Sequence, residues 1–260
     1  MQAISVQSLH TLHNGFYPLS SLPLVVLVGV TGVGKSTTLE HLAQLRPFEL
    51  LPDRRELTDA FIFGGEKIAD RTERFRRTRA FREQHPGGMA GVLAQLTLEQ
   101  TPSFLVLFDG LRGLEEVKHA AQFDGWRFVL LDAPDFERAR RLIGRGDVFD
   151  NIVSNSADVN RAGANSVALE GEDGTLETLK ALEGVYEVFT ERELLELSQI
   201  NSATWEIVSK IKIVLEERRN YDPRAARDYL LETLDFSRVI YLDTLMFSPL
   251  EVAGRLLEWL

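Results

Sequence analysis

The sequence predicts an α/β fold: a parallel sheet covered by helices on both faces and interrupted by a lid-like helical insertion. Three observations carry that expectation. Four short apolar runs, at residues 24–28, 104–108, 126–131 and 238–242, are each followed by a stretch of helical periodicity, the alternation that builds parallel sheets. The first run passes into its helix through GVTGVGKS, residues 29–36. Between the third and fourth units lies a long segment, 147–235, that breaks the alternation and concentrates the acidic residues.

Residues 24–28, LVVLV, are bounded by Pro23 and Gly29 and contain no polar position, the composition of a central strand buried on both faces. Leu39, Leu42 and Leu45 recur every three residues, which predicts a helix over 36–45 that stops before Pro47. Residues 48–51 read as a short strand, LPDRRELTD as a loop, and 66–83 as a helix loaded with arginine. The second buried strand, 104–108, ends on Asp109 and leads into a helix from 114 to 123. The third, 126–131, ends on Asp132, with a helix over 135–143 opened by Pro134. The fourth, 238–242, ends on Asp243, and SPLEVAGRLLEWL closes the chain as an amphipathic helix begun by Ser248 and Pro249.

The insertion opens with DNIVSNSADVNRAGANSVALEGEDG, rich in glycine and asparagine and without periodicity, which reads as a mobile flap. Its second half is helical. TEREL supplies a capping box from Thr190 to Glu193, 202–219 is helix-like, and Asp222-Pro223 starts a helix reaching 234. The expected organisation is a core of 1–146 and 236–260 with a flap and helical lobe at 147–235.

A chain of 260 residues, 44% of them hydrophobic, can bury the core of one large domain that carries an insertion. The absence of cysteine excludes a disulfide framework, a thiol nucleophile and a thiolate metal site, and suits a reducing cytoplasm. No run approaches the roughly 18 apolar residues of a spanning helix, so a soluble cytoplasmic protein without membrane contact is expected. The net charge of -10 argues against nucleic acid and anionic membrane as partners. Segment 147–235 holds 19 acidic and 9 basic residues and so accounts for all of that charge, the remainder being balanced at 20 of each.

Gly29, Val30, Thr31, Gly32, Val33, Gly34, Lys35 and Ser36 match GxxxxGK[ST] at every fixed position, between a buried strand and a helix. In that context successive backbone N–H groups and the helix N-terminus converge on an anion. The glycines permit a tight turn and close backbone approach. Lys35 supplies a cation for the β- and γ-phosphates of a nucleoside triphosphate, Ser36 a hydroxyl ligand for Mg²⁺, and Thr37 a donor to a further phosphate oxygen.

With its apolar strand, this motif resembles the P-loop of nucleoside- and nucleotide-kinase-like proteins, the adenylate kinase and dephospho-CoA kinase group. FLVLFDGLRGLEEV, FVLLDAPDFERARRLIGRGD and the final RVIYLDT with its helix resemble the same group in order and spacing. The resemblance covers about 23–145 and 237–260, and its specific element is the P-loop. It implies a three-layer P-loop NTPase fold, ATP and Mg²⁺ as ligands, and transfer of a phosphoryl group to an acceptor. The insertion is much larger than the short lid of a small nucleotide kinase, so the acceptor stays unidentified.

Asp109, closing an apolar strand, fits a Walker-B-type carboxylate that holds Mg²⁺, and also a general base beside an acceptor hydroxyl. Asp53 competes for the base role, because related kinases carry an acidic residue just after the second strand; it also reads as an ordinary turn residue. Arg112, three residues after Asp109, points toward the acceptor. Arg54 and Arg55 fall in the LPDRRELTD loop, and Arg71, Arg74, Arg76, Arg77, Arg79 and Arg82 spread around the following helix rather than forming one face, which favours a solvated, salt-bridged surface over an acceptor site. Arg138, Arg141 and Arg145 share a face leading into the flap. They fit lid arginines of the resembled kinases, with Arg145 the leading candidate, and equally an exposed basic face near a helix C-terminus. The five histidines show no metal spacing, and Trp205 and Trp259 on amphipathic helices read as packing residues.

The expected function is that of an ATP-dependent phosphotransferase with catalytic Lys35, Asp53, Asp109, Arg112 and Arg145 and Mg²⁺ on Ser36 and Asp109. The alternative is a nucleotide-controlled regulatory or assembly ATPase whose helical insertion binds a protein partner.

Overall fold

The computed structural model describes residues 1–11, 16–144 and 172–260. In chain order the strands are β1 (Gln2–Ala3), β2 (Leu9–Thr11), β3 (Tyr17–Pro18), β4 (Leu24–Val28), β5 (Glu49–Leu50), β6 (Leu96–Leu98), β7 (Val106–Leu111), β8 (Trp126–Asp132) and β9 (Val239–Asp243). The helices are α1 (Lys35–Leu45), α2 (Arg54–Leu57), α3 (Arg71–Gln84), α4 (Gly88–Ala94), α5 (Leu114–Ala120), α6 (Asp135–Leu142), α7 (Glu172–Lys180), α8 (Glu191–Ser198), α9 (Thr204–Asn220), α10 (Pro223–Thr233) and α11 (Pro249–Trp259). They form two compact units, residues 1–133 with 220–260, and residues 134–219.

The first unit is built on a six-stranded sheet in the order β1-β5-β7-β4-β8-β9, and every neighbouring pair is parallel. Strand β4 shows why both faces must be covered. Leu24, Val26 and Val28 enter one core with Phe108, Phe128, Met89 and Leu93 of α4, Val117 of α5 and Leu230 of α10. Val25 and Leu27 enter the opposite core with Leu107, Val129, Leu39 and Leu42 of α1 and Val252 and Leu256 of α11. Period-2 alternation therefore divides one apolar run between two helix layers. The α/β expectation holds as a parallel sheet flanked by helices, and the strand at 24–28 has the bounds read from sequence.

Other elements differ from the sequence reading. Strand β7 does not stop before Asp109; it runs on through Gly110 to Leu111, leaving Phe104 outside and 46% exposed. LPDRRELTD is not a loop. Asp53 caps α2 through a full capping box with Glu56, and one turn of π-helix, Thr58–Ile62, continues it. A small antiparallel sheet, β2-β6-β3, and helix α4 were not expected. Both pack Leu9, Leu96, Leu98, Met89 and Leu93 into the core that α5 and α10 share. Helix α10, whose N-cap is Asp222, belongs to this first unit rather than to the acidic segment's helical lobe.

The second unit has its own core, formed by Ala139 and Leu142 of α6, Leu179 of α7, Leu194 and Leu197 of α8, and Ile207, Ile211 and Val214 of α9. Thr190 and Glu193 make the expected capping box at the start of α8. Fully buried Arg138 of α6 pairs with Asp135 and with equally buried Glu217 of α9. Arg138 is thus neither an exposed cation nor a phosphate contact. Trp205 is 63% exposed, so it does not pack as its helix suggested; Trp259 does join the first unit's core. Flap residues 150–171 and Arg145 lie outside the described residues, and the last three residues of the flap sequence, 172–174, open α7. Among the described residues, no helix is long and apolar enough to cross a membrane.

Candidate functional site

The site is built where β4 ends. The chain turns back at β4, with β7 and β5 on one side and β8 and β9 on the other, and such a switch point opens a crevice beyond the carboxyl ends of the strands. Gly29 is pressed against β8: a Cβ there would lie 2.6 Å from the Leu131 carbonyl oxygen and 2.9 Å from Val33 Cγ2. Its N–H donates to the Leu111 carbonyl at the end of β7 (3.1 Å), so the loop is seated between both neighbours of β4. Val30 and Val33 are buried in the α1/α11 core and anchor the loop from below. Gly34, with φ +94°, is the N-cap residue from which α1 departs. Thr31 and Thr37 are half-buried and Ser36 is exposed at the first turn of α1.

Lys35 folds back over the loop. Its Nζ donates to the carbonyls of Gly29 (2.9 Å) and Val30 (3.0 Å) and lies 3.7 Å from Asp109 Oδ1, with 9% of the side chain exposed. Asp109 stands within β7 opposite Leu27, so it emerges on the same face of the sheet as α1. The structure therefore brings together the loop, Lys35 and Asp109. Among the described residues none donates a hydrogen bond to the buried Asp109 Oδ1, an acceptor that a hard cation or a water bound to one would satisfy. Beside them, the N–H and Oγ1 of Thr244 both donate to the Asp132 carbonyl (3.0 and 3.1 Å), and Thr244 Cγ2 lies 3.9 Å from where a Gly34 Cβ would be. Thr244 was missed in the sequence because nothing in LDTLMF marks it as a neighbour of the loop.

Asp53 is placed differently. Exposed at the start of α2, its Oδ1 accepts the Glu56 N–H (2.8 Å) and its own N–H donates to Glu56 Oε2 (3.2 Å). Arg112 follows β7, with its guanidinium carbon 5.9 Å from the ring centroid of Tyr221. Arg82 of α3 and Arg54 of α2 face the same ring at 4.8 and 5.7 Å. Most arginines of α3 are salt-bridged, as their circumferential spread suggested. Arg76 and Arg77 both grip Glu73, holding its carboxyl down at about 2, and Arg74 pairs with Asp59.

A second feature missed in the sequence is the buried pair of Arg54 and Glu116. Two parallel N–H donations, at 2.9 and 2.6 Å, join them, and Arg54 Nη1 also donates to the Gly110 carbonyl (2.6 Å). Burial opposes ionisation of both groups, yet mutual attraction and hydrogen bonding prevail: Glu116 is held below the usual carboxylate range and Arg54 above the usual guanidinium range. The only sequence signal was an acidic residue in the first turn of a helix. Tyr241, on β9, is shifted upward by burial and then by Asp132 and Asp243.

Among the described residues, no group of three or more His, Asp or Glu forms a metal site by itself. No family model matches the chain, and no curated protein matches it either.

Proposed function

We propose that the chain is an ATP-dependent phosphotransferase of the three-layer P-loop NTPase class, with the nucleoside triphosphate on residues 29–37. The observation that carries this reading is Lys35, folded over a glycine loop at the switch point of a parallel sheet and 3.7 Å from Asp109. A phosphate in the loop would draw Lys35 Nζ away from the Gly29 and Val30 carbonyls, exchanging neutral acceptors for charged oxygens that bind it more strongly. Ser36 at the start of α1 and Asp109 with its unsatisfied Oδ1 would hold Mg²⁺, as hard oxygen donors do. When bound, the cation supplies neutralisation of phosphate charge.

The chain's own groups then divide the remaining work. The loop amides and Lys35 orient the triphosphate, and the N-terminus of α1 favours its negative charge. Arg112, emerging from the strand whose Leu111 carbonyl holds Gly29, is the cation nearest in sequence for the acceptor side. Asp53 is a weak candidate for general base, because its carboxylate serves the α2 cap, and Asp109 could take that role only where it is not holding Mg²⁺. Arg145 is retained as the lid arginine of the proposal.

Purified protein incubated with MgATP and a panel of nucleosides, nucleotides and small alcohols should yield a phosphorylated product that the Lys35→Ala variant does not make. Equal ATP turnover by both proteins across the whole panel would end this reading. A regulatory ATPase is the second reading. In its favour, Tyr186, Leu195 and Trp205 of the helical unit are 58%, 43% and 63% exposed, apolar surface that a protein partner could cover. Nucleotide-dependent capture of a partner without a phosphorylated product would select it.

A further inference from the structure

The parallel register of β4 and β7 is interrupted beside the loop. Leu27 is opposite Asp109, but the next residue, Val28, is opposite Leu111, so Gly110 is an extra residue without a partner on β4. Such a bulge re-aims the side chains on either side of it and leaves backbone groups to be satisfied from elsewhere. Here Arg54 and Glu116 each meet one such group. Arg54 Nη1 donates to the Gly110 carbonyl (2.6 Å), and Glu116 Oε2 accepts the Arg112 N–H (3.2 Å). The same carboxylate takes the Met89 N–H (3.3 Å) from α4 and both donations from Arg54. The bulge is therefore bracketed on its two sides by the two halves of one buried ion pair.

Space around Gly110 is equally closed. A Cβ there would stand 2.7 Å from Phe108 Cζ and 3.0 Å from Arg54 Cβ. The residue before the bulge is Asp109, 3.7 Å from Lys35, and the residue after it is Leu111, whose carbonyl accepts the Gly29 N–H. Without the extra residue, position 110 would be opposite Val28, and the Leu111 carbonyl would be displaced from Gly29.

We propose that Arg54 and Glu116 are positioning residues that hold the Gly110 bulge and thereby set Asp109 for its magnesium. This rests on the reading of Asp109 as a magnesium ligand given above. Neither residue touches the triphosphate; each acts through β7. Buried groups that orient a ligand-bearing segment in this way change metal affinity by about 10- to 100-fold when altered.

The test measures binding of a non-hydrolysable ATP analogue by calorimetry, in EDTA and across a Mg²⁺ titration, for wild type, Glu116→Gln, Gly110→Ala and Asp109→Asn. Far-UV circular dichroism confirms folding. The expected result for Glu116→Gln is a rise of about tenfold in the Mg²⁺ concentration at half-saturation, with metal-free affinity within about twofold of wild type. Gly110→Ala, which keeps both charges and strains the bulge from within, should give the same pattern, and it carries the test if Glu116→Gln does not fold. A mere loss of structural stability would lower both affinities together and would overturn the inference. So would an unchanged Mg²⁺ requirement in Glu116→Gln and Gly110→Ala alongside a raised one in Asp109→Asn. If Asp109→Asn also leaves the Mg²⁺ requirement unchanged, the magnesium reading of Asp109 falls and the positioning role with it.

Discussion

Replacing Gly29 by alanine should damage both the fold and the loop. The added Cβ would stand 2.6 Å from the Leu131 carbonyl oxygen and 2.9 Å from Val33 Cγ2, and the backbone is held at φ +154°. The first contact is with main chain in a central strand, so relief requires moving β8 or the loop. A conformation that only glycine adopts readily costs about 1–3 kcal/mol, and overpacking by one methyl a similar amount. Because one backbone shift relieves part of both, the expected loss is about 2–4 kcal/mol rather than their sum. Urea unfolding followed by circular dichroism checks it, with a lowered midpoint and an unchanged m-value marking a native-state effect. Gly254→Ala is the matched control: among the described residues, apart from its chain neighbours and the backbone of its own helix, no atom lies within 4 Å of its Cβ position, and it sits inside helix α11. That variant should be more stable than wild type by about 0.5–1 kcal/mol, from helix propensity alone. A Gly29→Ala protein with the wild-type midpoint would refute the reasoning, since the β8 contact would then be no constraint.

Three further outcomes test other parts of the structure. Glu217→Ala removes one partner of the buried Arg138 pair and should destabilise the protein by about 3–5 kcal/mol in the same urea assay; Arg138→Met with Glu217→Leu should recover most of the loss. Ser248→Ala should cost about 1 kcal/mol, because the hydroxyl exchanges hydrogen bonds with the N–H and carboxylate of Glu251 at the start of α11. Glu116 is held below its ordinary value of 4.5, so its contribution is fully present above that pH and is lost as pH falls toward the depressed folded value. Glu116→Gln should therefore lose less stability than wild type on acidification below pH 4.5, by up to about 1.4 kcal/mol per pH unit; equal acid slopes would mean that the pair is not ionised as described.

What was legible in the sequence depended on how local its cause was. LVVLV could be read as a central strand because burial on both faces leaves no polar position, and Ser248-Pro249 opened its helix because a cap is settled within four residues. Asp53 was locally legible too: D-x-x-E is a capping box, and reading LPDRRELTD as a loop overlooked it. The end of β7 was misplaced because Gly110 looks like a strand terminator, while its role as a bulge depends on Arg54, 56 residues away. Trp205 misled because it lies at the first turn of α9, where its place on an amphipathic helix did not bury it. The Arg138–Glu217 pair spans 79 residues, and periodicity on either helix says nothing about which charges will meet. In the candidate site, the loop and Lys35 were read from one contiguous motif, whereas the hydrogen bonds around the Gly110 bulge join α2, α4 and α5 and could be assembled only in three dimensions.

The most direct test of nucleotide binding on residues 29–37 is isothermal titration of wild type and Lys35→Ala with a non-hydrolysable ATP analogue and Mg²⁺. One saturable site in wild type is expected, weakened in Lys35→Ala by about 10- to 100-fold, as loss of a charge-assisted contact of roughly 1.5–3 kcal/mol requires. Absence of saturable binding to wild type, or the same affinity in both proteins, would contradict the role given to the loop and to Lys35.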